Sequence, residues 1–198
     1  MKFPLFAIFI VFIIWLAIFL KKKNREDNAA SESFWAREKR ANEAPAKSLS
    51  NLAYITVPFE ELPMDTLSGD EEAEELGRTI RSFEDKKTVN LTGLSNTDLK
   101  LMYGASNLEK LSAYDQNYTL LARSLQKWAA LLHKKNRDSE AITVLEFAVS
   151  TYTDISSSYA LLAELYKSAG TPEKINDLIP IAESLNTPMK ASILKSLT

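Results

Sequence analysis

The pattern of hydrophobic positions repeats between about residues 122 and 185. When the sequence is aligned with itself at a shift of 34 residues, apolar and small residues coincide with apolar and small residues. A fixed period of this length is typical of stacked helix-turn-helix units. Within each unit the apolar residues recur every three or four positions, which predicts amphipathic helices. We therefore predict two antiparallel helical hairpins, over about 122–155 and 156–189. The matching positions are Trp128 with Leu162, Ala129 with Ala163, Leu132 with Tyr166, Ala141 with Ile175, Phe147 with Ile181 and Ala148 with Ala182.

Short polar turns separate these helices. Residues 134–138 form the first turn, in which we expect the Asp138 carboxylate to cap the following helix. In the second unit Gly170 follows a helix end, and Thr171 and Pro172 are expected to begin the next helix.

This pattern resembles the tetratricopeptide repeat (TPR) family. In that family a large apolar or aromatic residue is followed directly by a small one, an aromatic residue comes a turn later, and the second helix contains alanines where the helices touch. The resemblance covers about a third of the chain. Ile175 replaces an expected alanine, Pro180 lies inside the last helix, and the closing proline comes one position late at Pro188. An antiparallel helical bundle of another kind is the alternative. The matching residues are Trp128, Ala129, Leu162, Ala163, Tyr166, Ala141, Ala148 and Ala182.

Two hairpins bury too little surface alone, so flanking segments must complete the fold. A helix beginning at Thr187-Pro188, with Met189, Ile193 and Leu197 on one face, is expected to close the C-terminal end. Upstream, residues 95–115 are interpreted as a degenerate first hairpin, which places the folded TPR-like domain at 89–198.

The N-terminal run 3–20 has no charged residue and is followed by three lysines, 21–23. At about 1.5 Å per residue it spans roughly 27 Å, which predicts a transmembrane helix after a short N-terminus, residues 1–2. A cleaved signal peptide is the competing interpretation. The lysines predict a single-pass cell-membrane protein with the N-terminus outside and the following domain in the cytoplasm. Together with residues 91–100 and 114–118, this arrangement looks like uncharacterised single-pass proteins of anaerobic Gram-positive bacteria.

Three further segments connect this run to the repeats. Residues 21–50 are charged and small, which indicates a flexible linker that is helical only in part. Residues 51–67 are apolar but contain Pro58 and Pro63, so we expect an extended segment docked on the domain. It is either a fixed part of the core or a displaceable strap over a binding groove.

Residues 68–86 predict an acidic amphipathic helix. Ser68 and Glu71 have the spacing of a capping box at its start.

Little in the sequence indicates catalysis. The chain has no cysteine, and its single histidine, His133, cannot form the paired ligands of common metal sites. Its five glycines are scattered, so no phosphate-binding or dinucleotide loop is present. The slightly negative net charge offers no basic stripe for nucleic acid. We therefore predict a protein that is not an enzyme, with no cofactor, metal, nucleic acid or small-molecule substrate.

The resemblance implies instead that the first helices of the repeats line a concave, partner-binding face. Ala130 and Glu164 occupy positions where the family's carboxylate-clamping subgroup has asparagine, so that ligand is not expected. The sequence thus predicts an all-α, membrane-anchored scaffold or adaptor for an unknown protein partner. The alternative is a structural or assembly subunit of a larger membrane complex, with the apolar helix as a contact surface. The predicted partner-binding residues are Arg123, Gln126, His133, Lys134, Glu164 and Lys167.

Overall fold

The computed structural model describes the backbone of residues 3–198 and the side chains of residues 9, 12–13, 15–16, 19–23 and 31–198. Over this part of the chain the regular structure is helical, apart from one antiparallel bridge between Tyr54 and Val89. The helices are α1 (Phe3–Asn42), α2 (Glu71–Arg81), α3 (Asn96–Tyr103), α4 (Leu108–Lys134), α5 (Asp138–Ser150), α6 (Ser156–Ser168), α7 (Ile175–Ser184) and α8 (Lys190–Ser196). Two compact units form: one from the chain up to Lys47 with Asn96–Ser106, the other from Ser48–Ser95 with Asn107–Thr198.

The expected transmembrane helix is not supported by the structure. Among the described residues no helix is both long enough and apolar enough to cross a bilayer. This finding overturns the predicted spanning helix at 3–20, and with it the single-pass localisation with an outside N-terminus and a cytoplasmic domain. Most side chains of that run lie outside the described residues.

α1 also differs from the predicted helix in its length. The helix does not end at the lysines but continues to Asn42, so apolar and charged sequence share one helix of 40 residues. No glycine or proline interrupts residues 21–42, and Pro45 follows closely after the helix ends. The segment predicted to be a mostly flexible linker is therefore helical over most of its length.

The first unit joins the C-terminal part of α1 to α3 by polar contacts. Glu38 accepts hydrogen bonds from the Lys100 ammonium and from Thr97 Oγ1, the latter at 2.7 Å. Arg37 forms an ion pair with Asp98 on the same face. The positive φ of Gly104 turns the chain after α3, where a Cβ would lie 2.5 Å from the Pro45 carbonyl oxygen.

The second unit is built around an apolar core shared by α2, α4, α5, α6, α7 and α8. Each of the six residue pairs related by 34 positions has the same degree of burial: five pairs are buried, and Phe147 and Ile181 are both half-buried. Among the side chains that the structure describes, Trp128 is the largest that is fully buried. As expected for the last helix, Ile193 of α8 and Leu197 at its C-cap are buried. Met189, which was expected on the same face, is exposed.

The hairpin predicted at residues 95–115 forms only in part. As expected, α3 ends at Tyr103, directly before Gly104, and a second helix begins at Leu108. This second helix was expected to end near residue 115, but α4 runs unbroken through 27 residues to Lys134. This stretch contains neither glycine nor proline, so nothing in it ends a helix. The first helix of the first repeat is therefore extended toward the N-terminus.

The segment before α2 packs into the same core. Val57 and Leu62 are buried, and the Ile55 amide donates to the Thr88 carbonyl oxygen at 2.9 Å. The start of α2 differs from expectation, because Asp70 rather than Ser68 is the N-cap and accepts from the Ala73 amide. The Asp70 carboxylate also pairs with Lys135 at 2.7 Å, which ties the start of α2 to the end of α4.

Candidate binding surfaces

The predicted partner-binding residues lie on α4 and α6, which pack against each other. Arg123 and Lys134 on α4 are exposed, Gln126 and His133 are half-buried, and Glu164 and Lys167 on α6 are exposed. We call these six residues the first-helix face. They alternate with buried residues of the same helices, including Leu125, Trp128, Leu162 and Tyr166.

The structure does not join these six side chains into one cluster. Among the described residues no hydrogen bond or ion pair connects two of them. His133 Nδ1 lies 2.7 Å from Asp138 Oδ1 and is thereby held at the turn of its own hairpin. Asp138 was expected to cap α5, but it is the first residue of that helix and makes no side-chain cap bond. The first-helix face is thus a stripe of separate polar groups of mixed charge.

A second surface was not predicted from the sequence. A cleft of about 460 Å³ opens where α5 and α7 end, and it lies entirely within the second unit. We call it the helix-end cleft. Its lining residues come from three places, namely the ends of α5 and α7, the loop around residue 90, and the extended segment: Ala53, Tyr54, Ile55, Asn90, Thr92, Ser150, Thr151, Tyr152, Ser184, Leu185 and Asn186.

The two helix ends in this cleft are related by the 34-residue shift. Ser150 and Ser184 occupy equivalent positions, and each Oγ donates to the carbonyl oxygen three residues earlier at 2.7 Å. Thr153 and Thr187 are also equivalent, and each Oγ1 accepts from the amide two residues later at 3.3 Å. Extending the comparison of the two repeats by five residues would have found both pairs.

Tyr152 is the unusual residue of the cleft. Four of the described helices are followed by a residue with positive φ: Gly104 after α3, Asn136 after α4, Tyr152 after α5 and Gly170 after α6. Glycine and asparagine adopt this left-handed conformation readily, whereas a tyrosine does so at a cost of about 1–2 kcal/mol. The Tyr152 side chain is nevertheless 54% exposed, so burial of its ring offsets little of that cost.

Hydrogen bonds from three directions hold the turn that carries Tyr152. Asn90 Nδ2 donates to the carbonyl oxygens of Thr151 and Tyr152, both at 2.9 Å. From the core, the Tyr118 hydroxyl donates to the Thr151 carbonyl oxygen at 3.2 Å and the Tyr159 hydroxyl to that of Thr153 at 3.0 Å. Burial raises the pKa of both tyrosines, so both hydroxyls remain protonated donors at neutral pH.

The opposite rim of the cleft is fixed by a close backbone approach. Asn186 Nδ2 donates to the Gly93 carbonyl oxygen at 3.2 Å. Gly93 has a φ of +86°, and a Cβ there would lie 2.4 Å from the Asn186 carbonyl oxygen. Only glycine fits this contact, which makes the cleft a preformed feature of the fold.

Neither surface contains a cluster of metal-ligating side chains among the described residues. The residues whose side chains are described contain no group of three His, Cys, Asp or Glu side chains that could hold a metal ion. No protein-family model, curated protein or solved structure matched the chain. The resemblance to TPR proteins therefore stays a prediction.

Proposed function

We propose that this protein is a TPR-like helical-repeat scaffold or adaptor that binds a protein partner through the first-helix face. The observation that carries the proposal is that α4 and α6 each present exposed polar residues on one face and bury apolar residues on the other. Arg123 and Glu164 project from α4 and α6, while Trp128 and Leu162 hold those helices in one core. A rigid helical surface with separated polar groups is suited to recognising another polypeptide.

Two further features support the repeat interpretation. Residues 34 apart agree in burial, and the helix-end serines and threonines agree in hydrogen bonding as well. Thr187 Oγ1 also donates to Asp154 Oδ2 at 2.9 Å, so the turn after the second repeat is bonded to the turn after the first. Such regular contacts between neighbouring units are the basis of repeat scaffolds.

Site-specific photocrosslinking in the native cell tests this proposal. A photoreactive amino acid is placed at Arg123 or at Glu164, and matched controls carry it at the exposed residues Glu173 and Lys195. We expect one protein to form adducts from both test positions and from neither control. Adducts from all four positions, or from the controls alone, would contradict a partner site on this face.

A second candidate function is that of a structural subunit in a larger assembly, in which α1 is a contact surface. The observation that favours it is the set of exposed aromatic rings along α1. Trp15 lies 5.5 Å from Phe19 and 6.1 Å from Phe12, measured between ring centroids, and Phe34 and Trp35 are exposed further along. Crosslinking from Trp35 with no adducts from Arg123 or Glu164 would favour this candidate over the adaptor.

A further inference from the structure

The helix-end cleft has a chemical character that differs from the rest of the molecule. A quarter of all residues in the chain are charged, yet none of the described residues that line the cleft carries a charged side chain. A charged ligand placed there would lose water without gaining an ionic partner, which is unfavourable. The cleft therefore suits a neutral ligand, and its volume of about 460 Å³ falls in the range of small-ligand sites.

The two serine hydroxyls of the cleft favour a ligand that carries hydrogen-bond donors. Ser150 Oγ and Ser184 Oγ each donate their hydrogen to a helix carbonyl, so toward the cleft they can only accept. Asn90 Nδ2 already donates twice, and its Oδ1 accepts from the Thr92 amide at 3.0 Å, so toward the cleft the Asn90 side chain can only accept. A neutral ligand rich in O–H groups complements the two serine oxygens.

Tyr152 supplies the other half of the recognition. Tyr152 lines the cleft and is 54% exposed. Its backbone has a conformation that tyrosine disfavours, and neighbouring hydrogen bonds stabilise that conformation. A strained residue kept in place by its surroundings points to a role in function. An exposed aromatic face packs well against a ligand that has an apolar C–H face.

We propose that the helix-end cleft is a binding site for a neutral carbohydrate, such as a short oligosaccharide. A pyranose ring combines an apolar C–H face, which packs on Tyr152, with hydroxyls that donate to Ser150 and Ser184. The cleft shares no residue with the first-helix face. A negative result for sugar binding would therefore leave the proposed partner binding at that face unaffected, and the reverse also holds.

Ligand-observed saturation-transfer NMR on the full chain tests the proposal. The neutral probes are cellobiose, maltose and N,N′-diacetylchitobiose, and the charged probe is cellobiouronic acid, which carries a carboxylate. We expect saturable binding of at least one neutral disaccharide in the millimolar range and weaker binding of the charged one. An uncharged Ser/Thr-rich peptide is tested beside them.

Variants of the positive-φ residues separate binding from folding. Tyr152→Gly and Tyr152→Asn relieve the backbone strain, so we expect both to raise the thermal midpoint while weakening sugar binding about tenfold. Tyr152→Phe keeps the ring and should retain most of the affinity. The matched control is Asn136→Gly, which changes another positive-φ residue outside the cleft and should leave binding unchanged.

Four results would overturn the carbohydrate site. The first is the absence of a saturation-transfer signal from all three neutral disaccharides. The second is unchanged sugar binding by both Tyr152→Gly and Tyr152→Asn. The third is binding of the charged disaccharide as tight as that of the neutral ones, and the fourth is binding of the peptide but of no sugar. A lower thermal midpoint for Tyr152→Asn would also count against it, because Tyr152 would then serve packing rather than recognition.

Discussion

Each of the two compact units of this protein is stabilised internally by a different kind of contact. In the first, α3 is bonded to α1 through Glu38, Lys100 and Arg37, whose side chains remain partly accessible to water. In the second, six helices bury a contiguous apolar cluster around Trp128. Ionic contacts near water are weak and respond to pH and salt, whereas a packed core responds to changes in volume. We therefore expect changes in pH and salt to destabilise the first unit, and changes in the volume of core side chains to destabilise the second.

The largest effect is expected from removal of the central core side chain. Trp128→Ala leaves a cavity between the repeat helices and should lower the free energy of unfolding by about 3–5 kcal/mol. Urea denaturation followed by circular dichroism measures it. The control is Leu120→Ala in the same helix, where the side chain is half exposed and the expected change is within about 0.5 kcal/mol. Equal losses for the two variants would contradict the assigned core.

A smaller effect is expected from overfilling the same core. Ala163 on α6 is buried, so Ala163→Leu forces neighbouring side chains apart and should cost about 1–3 kcal/mol. Ala160, one turn earlier on the same helix, is exposed, and Ala160→Leu should be nearly neutral. The difference between the two midpoints in urea is the quantity to compare. A neutral Ala163→Leu variant would show that α6 is not packed at this position.

The smallest effect is expected in the first unit, and it depends on pH. Hydrogen bonds from Lys100 and Thr97 keep the pKa of the Glu38 carboxyl below its usual value of 4.5. Because the pKa is lowered in the folded state, the contact contributes its full stability above pH 4.5. That contribution is lost as the pH falls through the lowered pKa.

NMR chemical shifts of the Thr97 and Lys100 amides follow this contact. We expect them to be constant near neutral pH and to move toward unbonded values in acid, and high salt should weaken the contact at neutral pH. Glu38→Gln should abolish the acid transition at these amides. A transition that persists in Glu38→Gln would assign the pH dependence to another group.

The same contrast explains which parts of the fold were predictable. Helical periodicity and the 34-residue shift identified the core positions, because burial of Trp128, Leu162 and their neighbours follows directly from spacing. Element boundaries were less predictable. The uncharged run 3–20 suggested a helix that ends at the lysines, but a helix ends where a breaker or cap permits, and α1 continues to Asn42.

The helix-end cleft could be predicted only in part. The pairs Ser150 with Ser184 and Thr153 with Thr187 follow from the same repeat shift, so their equivalence was available in the sequence. The left-handed conformation of Tyr152 was not, since local sequence gives a tyrosine no such preference. The hydrogen bonds from Asn90 across 61 and 62 residues, to Thr151 and Tyr152, depend on tertiary packing alone.

The bonding of Asn90 also determines whether this residue can be glycosylated. Asn90-Leu91-Thr92 matches the acceptor triplet for N-linked glycans. An amide nitrogen has two hydrogens, and Asn90 donates both of them to the turn that carries Tyr152. A glycan would replace one of these hydrogens and place a bulky group in the cleft. The folded protein is therefore a poor acceptor at Asn90, and a glycan found there would mark a chain that was modified before it folded.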